Sequence, residues 1–307
     1  MGTKLKIQNY FYIVDFIGNK KIVTTLNNSL AKGALNHAYI FSGPERVGKF
    51  TLAKMFALGA IGNRKLALDT EDLDKDALLD LIVVKPEIVE KNKIAKQRDI
   101  SIEAIREAKL SLSLFPYRGK YKVLIVDDAH RLNVSAQNAL LKILEEPNPT
   151  TIIILVTHEL DRILATILSR SQVVNFSLTS DEEIAGGLYP GDIATLAIGR
   201  PGLANLLVKN EDEKNFRKQA HIQFEKISSG SMNEKFALAE EYSKDIVKTL
   251  EKLNIWIWEI RKKALLSSEH ERATLYVKIE KIQNIMTVLK RTNSNSRLLL
   301  ETLFMDM

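Results

Sequence analysis

From Gly43 to Thr51 the chain reads Gly-Pro-Glu-Arg-Val-Gly-Lys-Phe-Thr. Two glycines separated by four residues and followed by lysine is the spacing of a phosphate-wrapping P-loop, G-x-x-x-x-G-K-[ST]. The chemistry requires those residue types. Glycines let successive backbone N–H groups turn toward one anion. A helix starting at the lysine adds its unpaired N–H groups, and the lysine reaches the outer phosphates. The next position normally supplies a hydroxyl to a magnesium ion, but here it is Phe50. The expected contacts to a nucleotide are therefore Gly43, Val47, Gly48, Lys49, Phe50 and Thr51. The expected site is weak or idle: ATP or ADP held without efficient magnesium coordination, no cofactor required and no metal bound.

A second set of polar residues lies at the ends of apolar runs. Lys122 to Val126 leads into Asp127 and Asp128, and Thr151 to Val156 leads into Thr157 and His158. Downstream of a phosphate loop, the first acid of such a pair orients magnesium and the second activates water. Asp128 is shorter than the glutamate that suits the second task, so the pair reads as vestigial. Thr157 is placed to sense a terminal phosphate through its hydroxyl, or to cap its own strand. His130 and His158 flank the same sheet edge, but their sequence spacing is not that of metal ligands. Arg170, in Ser-Arg-Ser, is either solvated surface or an arginine presented to a neighbouring site.

These residues need strands and helices to bring them together. Ala38 to Phe41 is a short buried strand, and Leu52, Met55 and Phe56 share one face of the helix after the loop. Leu81 to Val84, Lys122 to Asp127, Thr151 to Val156 and Val173 to Phe176 are further apolar runs. Helical patterns separate them over 100–113 and 132–145, and Pro116 and Pro147 end those helices. Near-continuously apolar strands alternating with helices predict a parallel sheet covered on both faces. A helix near residues 22–30 is expected to dock on it, preceded by an apolar stretch from Phe11. Residues 87–98 read as an exposed polar connection.

After Ser177 the strand–helix alternation stops. Short helices are expected over 180–189, 191–198 and from Gly199 to Val208. Longer ones are expected over 216–227, 233–253, 256–266, 271–290 and 297–304, an all-helical bundle. The predicted division is 1–177, 178–208 and 209–307. Trp256 and Trp258 point to different sides of one helix, one to a core and one to an interface.

Composition excludes several classes. The 307 residues suffice for more than one domain, and 45% hydrophobic content supports real cores. Without cysteine there are no disulfides and no cysteine-bound zinc. No leader and no long apolar run are visible, so no membrane partner and a cytoplasmic location are expected. A net charge of +6 permits nucleic-acid contact without establishing it. Arg98, Arg106 and Lys109 are open between a DNA path and plain surface charge.

Several longer segments carry a resemblance. His37-Ala-Tyr-Ile-Phe-Ser-Gly-Pro44, Pro116-Tyr-Arg-Gly-Lys-Tyr-Lys-Val123, Asp127-Asp-Ala-His130, Ser135-Ala-Gln-Asn-Ala-Leu-Leu-Lys142 through Leu144-Glu-Glu-Pro147, and Leu168-Ser-Arg170-Ser-Gln172 are similar to bacterial DNA polymerase III clamp-loader subunits of the AAA+ ATPases. Delta-prime subunits are the nearest match. The resemblance implies an α/β P-loop AAA+ core with a parallel sheet, a small helical lid and an all-helical C-terminal collar. It implies a heteropentamer with gamma/tau and delta subunits that loads the sliding clamp on primer–template DNA. It gives this chain no hydrolysis of its own, and gives Arg170 a role in trans at a neighbour's ATP site. Ser171 departs from the cysteine of the family's Ser-Arg-Cys. Leu203 departs from the basic residue that often follows its Gly-x-Pro-Gly turn. The cysteines of a zinc module between Ala60 and Asp80 are missing. The alternatives are an active gamma/tau-type ATPase subunit, against which Phe50 argues, and a stand-alone nucleic-acid-binding AAA+ protein.

Overall fold

A computed structural model describes residues 16–66, 75–91, 94–187, 189–291 and 295–307. The apolar stretch expected from Phe11 lies mostly outside them. The chain divides into two compact units, Met1–Thr179 and Ser180–Met307.

In the first unit the order is α1 (Lys20–Lys32), β1 (Ala38–Ser42), α2 (Lys49–Ile61), β2 (Leu81–Val84), β3 (Ile88–Lys91), β4 (Ile94–Gln97), α3 (Ile102–Ser113), β5 (Lys122–Val126), α4 (Val134–Glu145), β6 (Thr151–Thr157), α5 (Ala165–Leu168) and β7 (Gln172–Asn175). Five of these strands form one parallel sheet in the order β2-β5-β6-β1-β7. Strand alternation sorts the core into two layers. Tyr39, Phe41, Val123, Ile125, Ile152 and Ile154 pack with Leu52 and Phe56 of α2 on one face. Ile40, Leu124, Val126, Ile153 and Leu155 pack with Ile105 and Leu140 of α3 and α4 on the other. Every residue of β1, β5 and β6 is buried, which explains their lack of polar alternation.

Caps set several helix starts. Ser101 and Asn133 side chains accept from Ala104 and Ala136 N–H groups and begin α3 and α4. Residues 88–91 and 94–97 form strands where an exposed polar connection was expected. β3 and β4 pair antiparallel, from Ile88 opposite Gln97 to Lys91 opposite Ile94. Mixed charge concealed this hairpin, because its ladder bonds are made by backbone and need no apolar pattern.

One buried charge organises a segment that apolar patterning cannot explain. Asp80 is 0% exposed. Its carboxylate accepts from the N–H groups of Tyr117 at 2.7 Å, Arg118 at 3.1 Å and Gly119 at 2.8 Å, and lies 3.9 Å from Lys122 Nζ. The turn entering β5 is thus folded around an anion.

The second unit is helical throughout its described residues: α6 (Asp181–Gly186), α7 (Gly191–Ala197), α8 (Pro201–Lys209), α9 (Glu211–Ser229), α10 (Met232–Ser243), α11 (Ile246–Leu266), α12 (Glu269–Arg291) and α13 (Ser296–Met305). The expected helices 233–253 and 256–266 are divided differently. The break falls at Lys244 and Asp245, where the Asp245 carboxylate accepts from Lys248 N–H at 3.1 Å and starts α11. The chain then runs helical through both tryptophans. Trp256 is fully buried, and its Nε1–H donates to Ala220 O at 2.9 Å. Trp258 lies between two guanidiniums, with Arg200 at 3.7 Å and Arg261 at 4.7 Å from its ring centre. Among the described residues no helix is long and apolar enough to cross a membrane.

Asp80→Ala leaves three N–H groups of the turn and the buried Lys122 without their acceptor. It is expected to lower the unfolding free energy by about 3 kcal/mol, measured by urea denaturation. Asp80→Asn, which keeps one acceptor oxygen, should lose less.

Candidate functional site

Parallel pairing carries the polar strand ends to one edge. Ser42 at the end of β1 is paired with Thr157 at the end of β6, and Val126 at the end of β5 with Leu155. The loop after β1, the acid pair after β5 and the Thr157–His158 tip therefore share the carboxyl edge of the sheet, where open α/β sheets bind ligands.

The loop itself is built on two left-handed glycines. Gly43 has φ 139°, and a Cβ there would meet Phe176 O at 2.4 Å. Gly48 has φ 93°, and a Cβ would meet the Phe16 ring at 2.8 Å. Val47 is fully buried, which anchors the loop on the core. Lys49 opens α2 and turns back into the loop. Its ammonium donates to Gly43 O at 2.7 Å and Pro44 O at 2.5 Å. Thr51 is exposed on the first turn of α2. A strand end, a left-handed loop and a helix start with an inward lysine fit an anion such as a nucleotide phosphate.

The same surroundings do not fit a magnesium ion. Lys85, just after β2, sets its Nζ 3.8 Å from the centre of the Phe50 ring and 3.7 Å from Asp127 Oδ2. An ammonium with an aromatic face on one side and a carboxylate on the other stands where a hydroxyl and an aspartate would share a metal. Burial, and then Asp128, pushes the Asp127 carboxyl above the ordinary aspartate range, while Lys85 opposes that rise. Asp127 also accepts from the N–H of Asp128 at 3.2 Å. Asp128 itself is left-handed, with φ 49°.

The remaining sequence-picked residues divide. Thr157 is buried and uses its hydroxyl locally, donating to Glu159 O at 3.1 Å and accepting from Glu159 N–H at 3.0 Å. That is the capping alternative. Arg170 is exposed and not at this edge. Its guanidinium donates to Thr166 O at 3.1 Å and to Glu145 Oε1 at 3.1 Å. Arg200, at the turn preceding Leu203, is buried against Trp258.

Sequence reasoning missed Lys85, and placed the two histidines at one sheet edge without foreseeing their contact. Lys85 carried no signal beyond its place after an apolar run. His130 and His158, 28 positions apart in the chain, have ring centres 4.1 Å apart. His158 Nε2 lies 3.1 Å from Glu45 Oε1 and 3.4 Å from Glu159 Oε1, and its Nδ1 lies 3.9 Å from Asp128 Oδ1. Only the register of β5 and β6 makes them neighbours.

Comparison with known proteins agrees with this layout. Residues 18–180 match the family described as DNA polymerase III, delta subunit. A DNA polymerase III subunit gamma from Buchnera aphidicola is 32% identical over 180 residues, 56% of this chain and 47% of the relative. A DNA polymerase III subunit tau from Bacillus subtilis is 36% identical over 172 residues, 56% of this chain and 30% of the relative. The chain thus matches less than half the length of either. The crystal structure of a DNA polymerase III gamma-subunit-related protein from Thermotoga maritima superposes with a TM-score of 0.52 at 19% identity, covering 92% of this chain and 97% of that one. That likeness extends the shared fold through the helical unit.

Gly43→Ala should destabilise the first unit by about 1–3 kcal/mol, because both the left-handed backbone and the Phe176 carbonyl oppose a methyl. Urea unfolding of the variant measures the loss.

Proposed function

The chain belongs to the DNA polymerase III, delta subunit family, and from that premise we propose that it is a clamp-loader subunit that assembles with gamma/tau-type and delta-type partners without hydrolysing ATP itself. Its contribution is a delta-prime-like one: to complete the ring that opens the sliding clamp at primed DNA, and to lend Arg170 to the neighbouring ATPase. The observation that carries this reading is the Lys85 ammonium held between the Phe50 ring and Asp127. A positive charge covalently fixed to the chain repels a divalent ion at that point. The displaced metal is the one that phosphoryl transfer uses to neutralise charge on the outer phosphates. Nucleotide at Gly43–Thr51 then serves as a structural ligand, if it binds, and not as fuel.

Arg170 suits a role outside its own subunit. It is exposed, and its pair with Glu145 joins groups 37% and 52% exposed. Such a surface pair is worth under about 1 kcal/mol, so the guanidinium can leave it for a phosphate on an adjacent molecule at small cost.

A second reading has its own support. The curated relatives described above are gamma and tau subunits, and identities of 32% and 36% over the core favour an active gamma/tau-type ATPase over a paralogue defined by loss of hydrolysis. The two readings part on position 50 and on Lys85.

Binding of ATP to the purified chain is expected to differ by less than about twofold between magnesium and EDTA, by calorimetry. The double variant Phe50→Ser, Lys85→Ala should acquire a magnesium dependence. Steady magnesium-dependent turnover by the wild-type chain alone would establish the gamma/tau reading. In a complex reconstituted with its partners, Arg170→Ala should leave assembly intact on gel filtration. It should also slow ATP turnover at the adjoining site by on the order of 10³-fold. Unchanged turnover refutes the role in trans.

A further inference from the structure

At the same sheet edge, on the side of the acid pair away from Lys85's partner Asp127, three side chains converge without an assigned task. Asp128, His130 and His158 each offer one ligand-type atom, and these atoms lie within 4.8 Å of one another. We propose that they form a binding site for a divalent transition-metal ion of the zinc class, separate from the magnesium position of the ATPase fold. Two imidazole nitrogens and one carboxylate oxygen are the donor set that suits zinc, cobalt or nickel. Magnesium prefers oxygens alone.

Three independent observations support a metal over a chance cluster. The first is the burial of His130, which is 5% exposed, while its Nδ1 has no hydrogen-bond partner among the described residues. An uncommitted nitrogen on a buried ring is costly unless something fills its lone pair or takes its proton. The second is the orientation of His158. Its Nε2 is next to the carboxylates of Glu45 at 3.1 Å and Glu159 at 3.4 Å. Its other ring nitrogen, Nδ1, lies 3.9 Å from Asp128 Oδ1. A carboxylate behind a histidine whose other nitrogen faces the metal is the usual outer support of a histidine ligand. The third is charge. Three carboxylates, Glu45, Asp128 and Glu159, each come within 4 Å of a His158 ring nitrogen, and the His130 ring centre lies 4.1 Å from that ring. The balance there suits a dication.

The spacing also fits. A tetrahedral ion with bonds near 2.0–2.1 Å holds its ligands roughly 3.3 Å apart. Closing from 4.8 Å takes small side-chain rotations of Asp128 and His158, which are only partly buried at 33% and 24% side-chain exposure. His130 stays fixed by its packing. The fourth position is left to solvent or to Glu159. A bound ion ties the end of β5 to the end of β6, and draws Glu45 of the phosphate loop toward both through His158. It would stiffen the edge on which a nucleotide rests.

The test uses the tag-free full chain, stripped with a chelator and dialysed. Titration with cobalt(II) should give one equivalent per chain, with the visible absorption of a low-symmetry nitrogen–oxygen site. Zinc should displace that signal and raise the unfolding temperature. His158→Gln is the primary variant, because its side chain is partly exposed and its loss should leave the metal-free unfolding temperature unchanged. It should weaken zinc binding at least tenfold, as should Asp128→Asn. Glu45→Gln should weaken it by about tenfold through loss of the carboxylate behind His158. His270→Gln, an exposed histidine outside the cluster, should change nothing. Binding that survives His158→Gln and Asp128→Asn undiminished, or no saturable cobalt or zinc binding to the wild-type chain, overturns the proposal.

Discussion

The register between β1, β5 and β6 is the constraint on which the rest depends. β1 pairs on both sides, with β6 and β7, and β6 pairs on both sides, with β1 and β5. Strands buried on both faces cannot slip by one residue without exchanging their two apolar sets. Tyr39 and Phe41 would move into the layer of Ile105 and Leu140, and Ile40 would move to Phe56. The core therefore fixes which residue of each strand is last. By fixing Ser42 opposite Thr157, it fixes how far apart the phosphate loop, the acid pair and the histidines stand. The chemistry at the edge is a consequence of packing several residues deeper.

Given that edge, the proposed difference between a hydrolysing and a non-hydrolysing subunit turns on one cation. The ATPase arrangement places a mobile dication between a hydroxyl and an acid. Here the ring of Phe50 removes the hydroxyl and offers a face that attracts an ammonium. Lys85 supplies that ammonium from the neighbouring strand. The two residues make sense together. A phenylalanine alone would leave Asp127 facing an empty apolar wall, and a lysine alone would compete with a metal still held by a serine. The rise in the Asp127 carboxyl's proton affinity shows that the lysine compensates burial only in part.

The sequence made the architecture legible where burial is symmetric and failed where polar groups do the organising. Apolar runs located all five strands of the parallel sheet, and helical periodicity with chain breaks located most helices within a few positions. The β3–β4 hairpin escaped because backbone pairing needs no side-chain pattern. The Asp80 cluster escaped because its partners are N–H groups 37 to 39 residues away, and N–H groups are the same in every sequence. The helix break at Asp245 was displaced because a capping aspartate inside a continuous amphipathic pattern looks like one more polar position. At the candidate site, local spacing gave the loop and the acid pair. It gave neither Lys85 nor the histidine contact, since both arise from strand neighbours distant in the chain.

Asp127 and Asp128 show how one motif can serve two unrelated ends. They are adjacent in sequence and leave one strand, yet they meet different partners. Asp127 faces Lys85, across from the phosphate loop's helix. Asp128 faces His158, across from the loop's Glu45. In an ATPase both acids must work on one metal–water assembly, which requires them to converge. On the proposed reading hydrolysis is not demanded of the site, and the second acid is free for a different ligand. On the proposed reading, the Lys85 ammonium beside Asp127 and the histidines beside Asp128 engage the two acids with different partners.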